Sequence, residues 1–136
     1  MNPTRSHTTD TPARATAAGA ALIRALLDRD LDAARALLAP DIAFSALLPP
    51  RVVELDDRES VLELLAGWFP AGAVDELQAL ESDTVVDRHR VGYRVRWHDP
   101  DGRPLVFEQQ AYYDLGAAGI SWMHLVCTGH RALPDG

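Results

Sequence analysis

The spacing of apolar residues changes near Gly72, from a mainly helical period to a strand period. Before that point, apolar residues recur every three or four positions in three segments, as they do in amphipathic helices. After it, apolar and polar residues alternate in four runs, as they do in half-buried strands. Helices followed by an antiparallel meander predict an α+β fold, and 136 residues are enough for one domain with a core.

Helix boundaries follow from caps and prolines. Thr11 and Pro12 are typical of a helix start, and the helix that they open carries small and apolar residues on one face: Ala15, Gly19, Leu22 and Leu26. Asp30 is predicted to begin a second helix, which Pro40 ends. A third helix is predicted over residues 57–69. Residues 1–10 are predicted to be a disordered arm, residues 11–130 the single domain and residues 131–136 a tail.

The strand predictions include a trial register for the last two hairpins. Strands are expected at residues 41–47, 76–86, 89–98, 104–114 and 119–128. Side chains alternate along a strand, so placing Trp97 opposite Leu105 sets Tyr93 opposite Gln109 on a mostly apolar face. Placing Tyr113 opposite Ile120 would then bring His124 beside Gln109 on that face.

Charge and residue usage exclude several classes of function. The 20 acidic and 13 basic residues give a net charge of −7, which disfavours nucleic acid and anionic membranes as partners. All the basic residues are arginines, so chemistry that needs a lysine amine is excluded. The uncharged stretch at residues 15–23 is too short to cross a bilayer. We expect a cytoplasmic protein.

We expect neither a metal nor a cofactor. The five histidines, at positions 7, 89, 98, 124 and 130, show no metal-binding spacing, and Cys127 is the single cysteine. The sequence also contains no glycine-rich phosphate loop and no nucleophile elbow. Nucleotide use and serine hydrolysis are therefore disfavoured.

Several segments resemble the nuclear-transport-factor-2-like, or SnoaL-like, superfamily over residues 12–130. They are the run LLDRDLDAARALLAPDIAF, the third helix, and the closing strands YRVRWHDPDGRPLVFEQQAYYDL and GISWMHLVC. The resemblance implies a cone-shaped, cystatin-like barrel, in which three helices pack in the concave face of a strongly curved, mainly antiparallel sheet. It also implies homodimers formed through the outer sheet face.

Relatives of this fold include steroid isomerases, polyketide cyclases, dehydratases and epoxide hydrolases, which differ in the polar groups that line the cone. In the ketosteroid isomerases an aspartate near the end of the first strand is the base. Here that region reads Phe44-Ser45-Ala46-Leu47, without a carboxylate, and the later strand offers Gln109 and Gln110 where an acid is wanted. The Asp-Arg-Asp set of the epoxide-hydrolase relatives is not evident either, so steroid isomerase and epoxide hydrolase chemistry are both disfavoured.

Three side chains are candidates for catalysis. His124 is the candidate acid or base, Tyr93 the candidate donor to an oxygen that gains charge, and Gln109 the residue that orients the imidazole. The alternative is structural: His124 and Gln109 satisfy each other's hydrogen bonds, and Tyr93 is a core aromatic. The candidate ligand-binding residues are Phe44, Ser45, Trp68, Trp97, Phe107 and Trp122.

These observations favour a protein that binds a small hydrophobic, polyketide- or steroid-like molecule in an apolar pocket. As an enzyme it would catalyse cofactor-free acid–base cyclisation or isomerisation beside a carbonyl. The alternatives are a carrier or sensor without catalysis, and a dimerisation module with a closed core. On the outer sheet face we expect an apolar group that suits a homodimer: Val106, Tyr112, Met123, Leu125 and Cys127.

Overall fold

The computed structural model describes residues 17–48, 51–69 and 73–133 of the chain. Within these ranges the helices are α1 (residues 17–27), α2 (Leu31–Ala36) and α3 (Arg58–Gly67). The strands are β1 (Leu38–Leu48), β2 (Arg51–Leu55), β3 (Val74–Val85), β4 (Arg88–His98), β5 (Pro104–Gly116), β6 (Gly119–Cys127) and β7 (Arg131–Ala132). None of the helices described is long and apolar enough to span a membrane.

The strands form one curled, unclosed sheet in the order β2-β1-β6-β5-β4-β3, with β7 paired to β5. All pairs are antiparallel except β1 with β6, which are parallel. The helices pack against the concave face, where the core lies, so the predicted α+β cone is confirmed. Because β7 pairs with β5, the sheet continues just past residue 130, where we expected the domain to end.

Helix α1 lies unusually close to the sheet because it carries a glycine at the contact. Gly19, Leu22 and Leu26 are buried, as predicted, whereas the predicted helix start and Ala15 lie outside the described residues. The Gly19 N–H donates to the Tyr113 hydroxyl over 2.9 Å. A Cβ at position 19 would lie 2.7 Å from Cε1 of Tyr113 and 2.9 Å from Cβ of Val91, so the packing admits no larger residue without movement.

The second helix is shorter than predicted. Asp30 caps it, accepting the Ala33 N–H at 3.1 Å, but α2 ends at Ala36 and β1 begins at Leu38. Pro40 therefore lies in a strand and does not end the helix. The pairing of β1 with β6 is interrupted between Leu38 and Ala43. Pro40 lies in this gap, so its missing N–H does not cost the sheet a hydrogen bond.

The register predicted for the β4–β5 hairpin is confirmed. Trp97 lies opposite Leu105, and Tyr93 lies opposite Gln109. The Asp99 carboxylate closes the turn by accepting the backbone N–H groups of Asp101 and Arg103, each over 2.9 Å. An aspartate that bonds the backbone ahead of it is a local signal, readable from the sequence, and it fixes the register of the hairpin.

The register predicted for the β5–β6 hairpin is wrong by three residues, because Tyr113 pairs with Met123 and not with Ile120. The hairpin closes through Ala117 and Ala118, and a β-bulge after Asp114 adds one further step. Because side chains alternate, an odd displacement turns every side chain of β6 to the opposite face. Gln109 is therefore opposite Cys127, and His124 is opposite Tyr112 on the outer face.

Replacing Gly19 with alanine should destabilise the fold, because the new methyl group would press on Tyr113 and Val91. We expect a loss of about 1–3 kcal/mol, the usual cost of overpacking. Chemical denaturation of G19A measures it. The matched control is Gly67→Ala in α3, where a Cβ meets nothing within 4 Å, and this variant should be unchanged or more stable by up to about 1 kcal/mol. Equal stability of G19A and the unaltered protein would contradict the packing described.

Candidate functional site

The buried phenol and amide predicted to meet on the concave face do meet. Tyr93 is 2% exposed and Gln109 is 1% exposed, and the Tyr93 hydroxyl donates a hydrogen bond to Oε1 of Gln109. Burial raises the pKa of the Tyr93 hydroxyl, so it keeps its proton and acts as a donor. This hydrogen bond fixes the orientation of the amide and leaves its NH₂ group directed away from Tyr93.

That NH₂ group is the unusual feature of the core. Gln109 Nε2 is buried and has no hydrogen-bond partner among the described residues, whereas the buried hydroxyls of Tyr93 and Tyr113 are both hydrogen-bonded. An unpaired buried donor costs about 1–3 kcal/mol, so such groups are rare in folded proteins. The ring N–H of Trp97 is also buried without a partner in the described part of the chain. The concave side therefore offers two unused hydrogen-bond donors.

Aromatic rings surround the Tyr93–Gln109 pair. The Phe69 ring centroid lies 6.3 Å from that of Tyr93 and 5.8 Å from that of Phe107. The backbone of Phe69 is held by Arg29, whose Nη1 donates to the carbonyl oxygens of Ala66 and Phe69, each over 2.9 Å. A rigid apolar cover thus lies over the polar pair.

Three of the six predicted ligand-binding residues lie on this concave side. Phe44 and Phe107 are buried in the core, and Trp97 is partly buried beyond Val95 on β4. Trp68 follows α3 and lines a groove of about 460 Å³ between that helix and β2. Trp68 also packs against the core that contains Tyr93, and its place in a shared pocket stays a prediction.

His124, Ser45 and Trp122 lie on the outer face of the sheet. His124 Nδ1 is 2.5 Å from Oγ of Ser45, and its ring stacks on Trp122 with centroids 6.1 Å apart and planes 12° apart. The prediction that these residues meet Tyr93 and Gln109 in one pocket is wrong, because the shifted β6 register turns His124 and Trp122 outward. On that face Ser45 and Trp122 border a groove of about 480 Å³ together with Glu54 and Asp56.

The apolar residues on the outer face are not the ones on which the homodimer prediction was based. Met123, Leu125 and Cys127 are buried in the core, for the same reason that His124 is outside it. The exposed apolar side chains that neighbour one another on this face are Val52, Leu47 and Val126. Three of the four arginines of β4 are paired with carboxylates on adjacent strands, among them Arg94 with Glu108 at 2.7 Å. A homodimer stays a prediction.

His130 lies at the end of the concave face, although the sequence analysis assigned it no role. Its ring centroid is 5.0 Å from those of both Trp97 and Phe107. Partial burial against these rings lowers the pKa of the imidazole, so the neutral form predominates at neutral pH. Gly129, with a φ of +78°, turns the chain just before it. A glycine directly after a strand was the signal that could have drawn attention to this position.

Within residues 17–48, 51–69 and 73–133, no three histidine, cysteine or acidic side chains are grouped so that they could hold a metal ion. The candidate site therefore consists of a phenol, an amide, an indole N–H and an imidazole among aromatic rings. Its chemistry is that of hydrogen bonding to an oxygen and of proton transfer.

Comparison with known proteins places this geometry in a family. The family model of the SnoaL-like domain matches residues 20–122, and the chain belongs to this family. The curled sheet and its helices are those of the nuclear-transport-factor-2-like superfamily, as the sequence resemblance predicts. No curated protein sequence matches the chain.

Solved structures share the fold at low identity. A candidate polyketide cyclase from Xanthomonas campestris pv. campestris aligns with a TM-score of 0.64 and 21% identity, over 85% of this chain and 90% of its own. An LEH-like epoxide hydrolase from M. tuberculosis has a TM-score of 0.62 and 14% identity, over 86% and 84%. A Catenulispora acidiphila protein with a ketosteroid isomerase-like fold has a TM-score of 0.59 and 12% identity, over 79% and 82%. These similarities show the fold alone.

The orientation of β6 predicts opposite thiol reactivity at two adjacent positions. Cys127 is 6% exposed, so in the native protein it should react with Ellman's reagent only after unfolding. Val126 is 44% exposed on the other face, so a cysteine placed there in a C127S background should react at once. Fast labelling of native Cys127 together with slow labelling of V126C would contradict the register described here.

Proposed function

We propose that the protein binds a small, largely apolar molecule carrying a carbonyl or similar oxygen, on the concave side of its sheet. The observation that carries the proposal is the buried NH₂ group of Gln109, which lacks a partner among the described residues. A ligand oxygen would supply the missing acceptor and offset the cost of leaving that donor unpaired. The surrounding rings of Phe69, Tyr93 and Phe107 favour a flat ligand.

The two unused donors suggest the length of the ligand. Trp97 lies opposite Leu105, which is four residues from Gln109 along β5. Strand geometry separates these two positions by roughly 13 Å. A molecule that reaches both donors is therefore elongated and carries oxygens at both ends, which fits the polyketide-like class.

The structural neighbour named a polyketide cyclase is consistent with chemistry beside a carbonyl, for which this site supplies a hydrogen-bond donor to the carbonyl oxygen. The Gln109 NH₂ group is a donor in an apolar setting, where it would stabilise an oxygen that gains negative charge. A carrier without catalysis is the second candidate function. It is favoured by the absence of a carboxylate among the buried residues that the structure describes.

Binding is tested with prodan, a flat naphthyl ketone whose fluorescence reports both apolar surroundings and hydrogen bonding. The variant is Tyr93→Phe with Gln109→Leu, because removing both partners leaves no new unpaired group. We expect prodan to bind the unaltered protein with a blue-shifted emission. The double variant should bind about three- to tenfold more weakly, since one hydrogen bond to the ketone is lost.

Gln110→Leu is the matched control, because Gln110 is the next residue and lies on the outer face, where its Oε1 accepts from Arg90. It should leave prodan affinity unchanged. A naphthylamine that lacks the ketone should bind the unaltered protein and the double variant equally. The proposal fails if the unaltered protein does not bind prodan, or if only the Gln110 variant weakens binding.

A further inference from the structure

Proton transfer beside a carbonyl needs a base, and the described residues buried on the concave face do not supply one. Tyr93 keeps its proton because burial raises the pKa of its hydroxyl. The amide of Gln109 has no useful basicity. Cys127 is buried with its Sγ accepting the Gly129 N–H at 3.3 Å. A base must therefore come from the rim of this face.

His130 is held at that rim by the pairing of β7. Arg131 lies opposite Val106 and Ala132 lies opposite Leu105, so the next position back, His130, is level with Phe107. Phe107 points into the concave side, and the ring contacts place the imidazole there too, against Phe107 and Trp97. Along β5, Phe107 lies midway between Gln109 and Leu105, the residues opposite Tyr93 and Trp97.

We infer that His130 is the proton acceptor for a ligand bound on the concave face, taking a proton from a carbon next to the ligand carbonyl. This inference rests on the proposed function, because it needs a carbonyl compound to occupy that face. Along the strands, His130 lies midway between the two unused donors, which belong to Gln109 and Trp97. A ligand whose carbonyl oxygen binds the Gln109 NH₂ group extends from there towards Trp97, so the carbon next to that carbonyl lies on the side of the imidazole.

The step balances without any co-reactant. A ring nitrogen of neutral His130 takes the proton, the C–H electron pair becomes part of an enolate, and the negative charge collects on the carbonyl oxygen. The Gln109 NH₂ group donates to that oxygen as the charge develops. The imidazolium then returns its proton to another carbon in isomerisation, or after ring closure in cyclisation. Nothing is oxidised or reduced.

The surroundings of His130 suit this role. Aromatic side chains face it from β4 and β5, namely Trp97 and Phe107, and the ionisable group at the adjoining end of β6 is Cys127. Burial is the cause that lowers its pKa, and no charged group among the described residues adds to it. A base with a lowered pKa is unprotonated at neutral pH, and its conjugate acid returns the proton readily.

The test uses nitrobenzisoxazole, a flat probe that needs only a base. Removal of its ring C–H proton forms a nitrile and breaks the N–O bond, which releases a coloured phenolate. In the unaltered protein we expect kcat to rise with pH through an apparent pKa below 6.5, because the neutral imidazole is the active form. His130→Gln should lower kcat by about a hundredfold or more while KM changes little.

His98→Gln is the matched control, because His98 lies at the same end of β4 but is bound to Asp75 at 2.8 Å. It should keep the full rate. Prodan binding, measured on the same proteins, separates the two proposals. Retained prodan binding with lost elimination in His130→Gln supports the inference. Prodan binding by the unaltered protein with no elimination, or with elimination that survives His130→Gln, overturns it and leaves the proposed function standing. Absence of prodan binding to the unaltered protein overturns both.

Discussion

The pairing of β6 with β5 decides which chemistry this fold can present on each face. A two-residue turn at Ala117–Ala118 and a bulge after Asp114 set that register. As a result Met123, Leu125 and Cys127 complete the core, and His124 stacks with Trp122 on the outside. A strand that slipped by one residue would exchange these two sets of side chains. The composition of the core, the position of the imidazoles and the polarity of the outer face all depend on this register.

The β4–β5 register places the Tyr93–Gln109 pair in a largely apolar core. Tyr93 and Gln109 hold each other, and Phe69 covers them because Arg29 fixes its backbone. Replacing both members of the pair with apolar residues of similar shape would cost little stability. A buried pair that leaves one donor unpaired is therefore typical of a functional site. Membership of the SnoaL-like domain family gives the scaffold, whereas the proposed function rests on the amide and the rim imidazole of this chain.

How much could be predicted from the sequence depended on whether the determining contacts were local. The β4–β5 register and the meeting of Tyr93 with Gln109 followed from the alternation of side chains, and the local turn that Asp99 closes agrees with them. The β5–β6 register did not, because alanines carry no turn signal and a bulge leaves no local mark. The place of Pro40 in a strand depended on a gap in the pairing with β6. The position of His130 depended on β7, whose two residues pair only because β5 extends beyond β6.

The central claim is that the NH₂ group of Gln109, on the concave side of the sheet, is available as a hydrogen-bond donor for a ligand oxygen. The chain has three glutamines, Gln78, Gln109 and Gln110, so their side-chain amide signals are readily assigned by nuclear magnetic resonance in ¹⁵N-labelled protein. The account predicts that the Gln109 signals exchange slowly with solvent and shift downfield in the proton dimension as prodan is added, while those of Gln110 stay in place. Rapid exchange at Gln109, or shifts confined to Gln110, would contradict it.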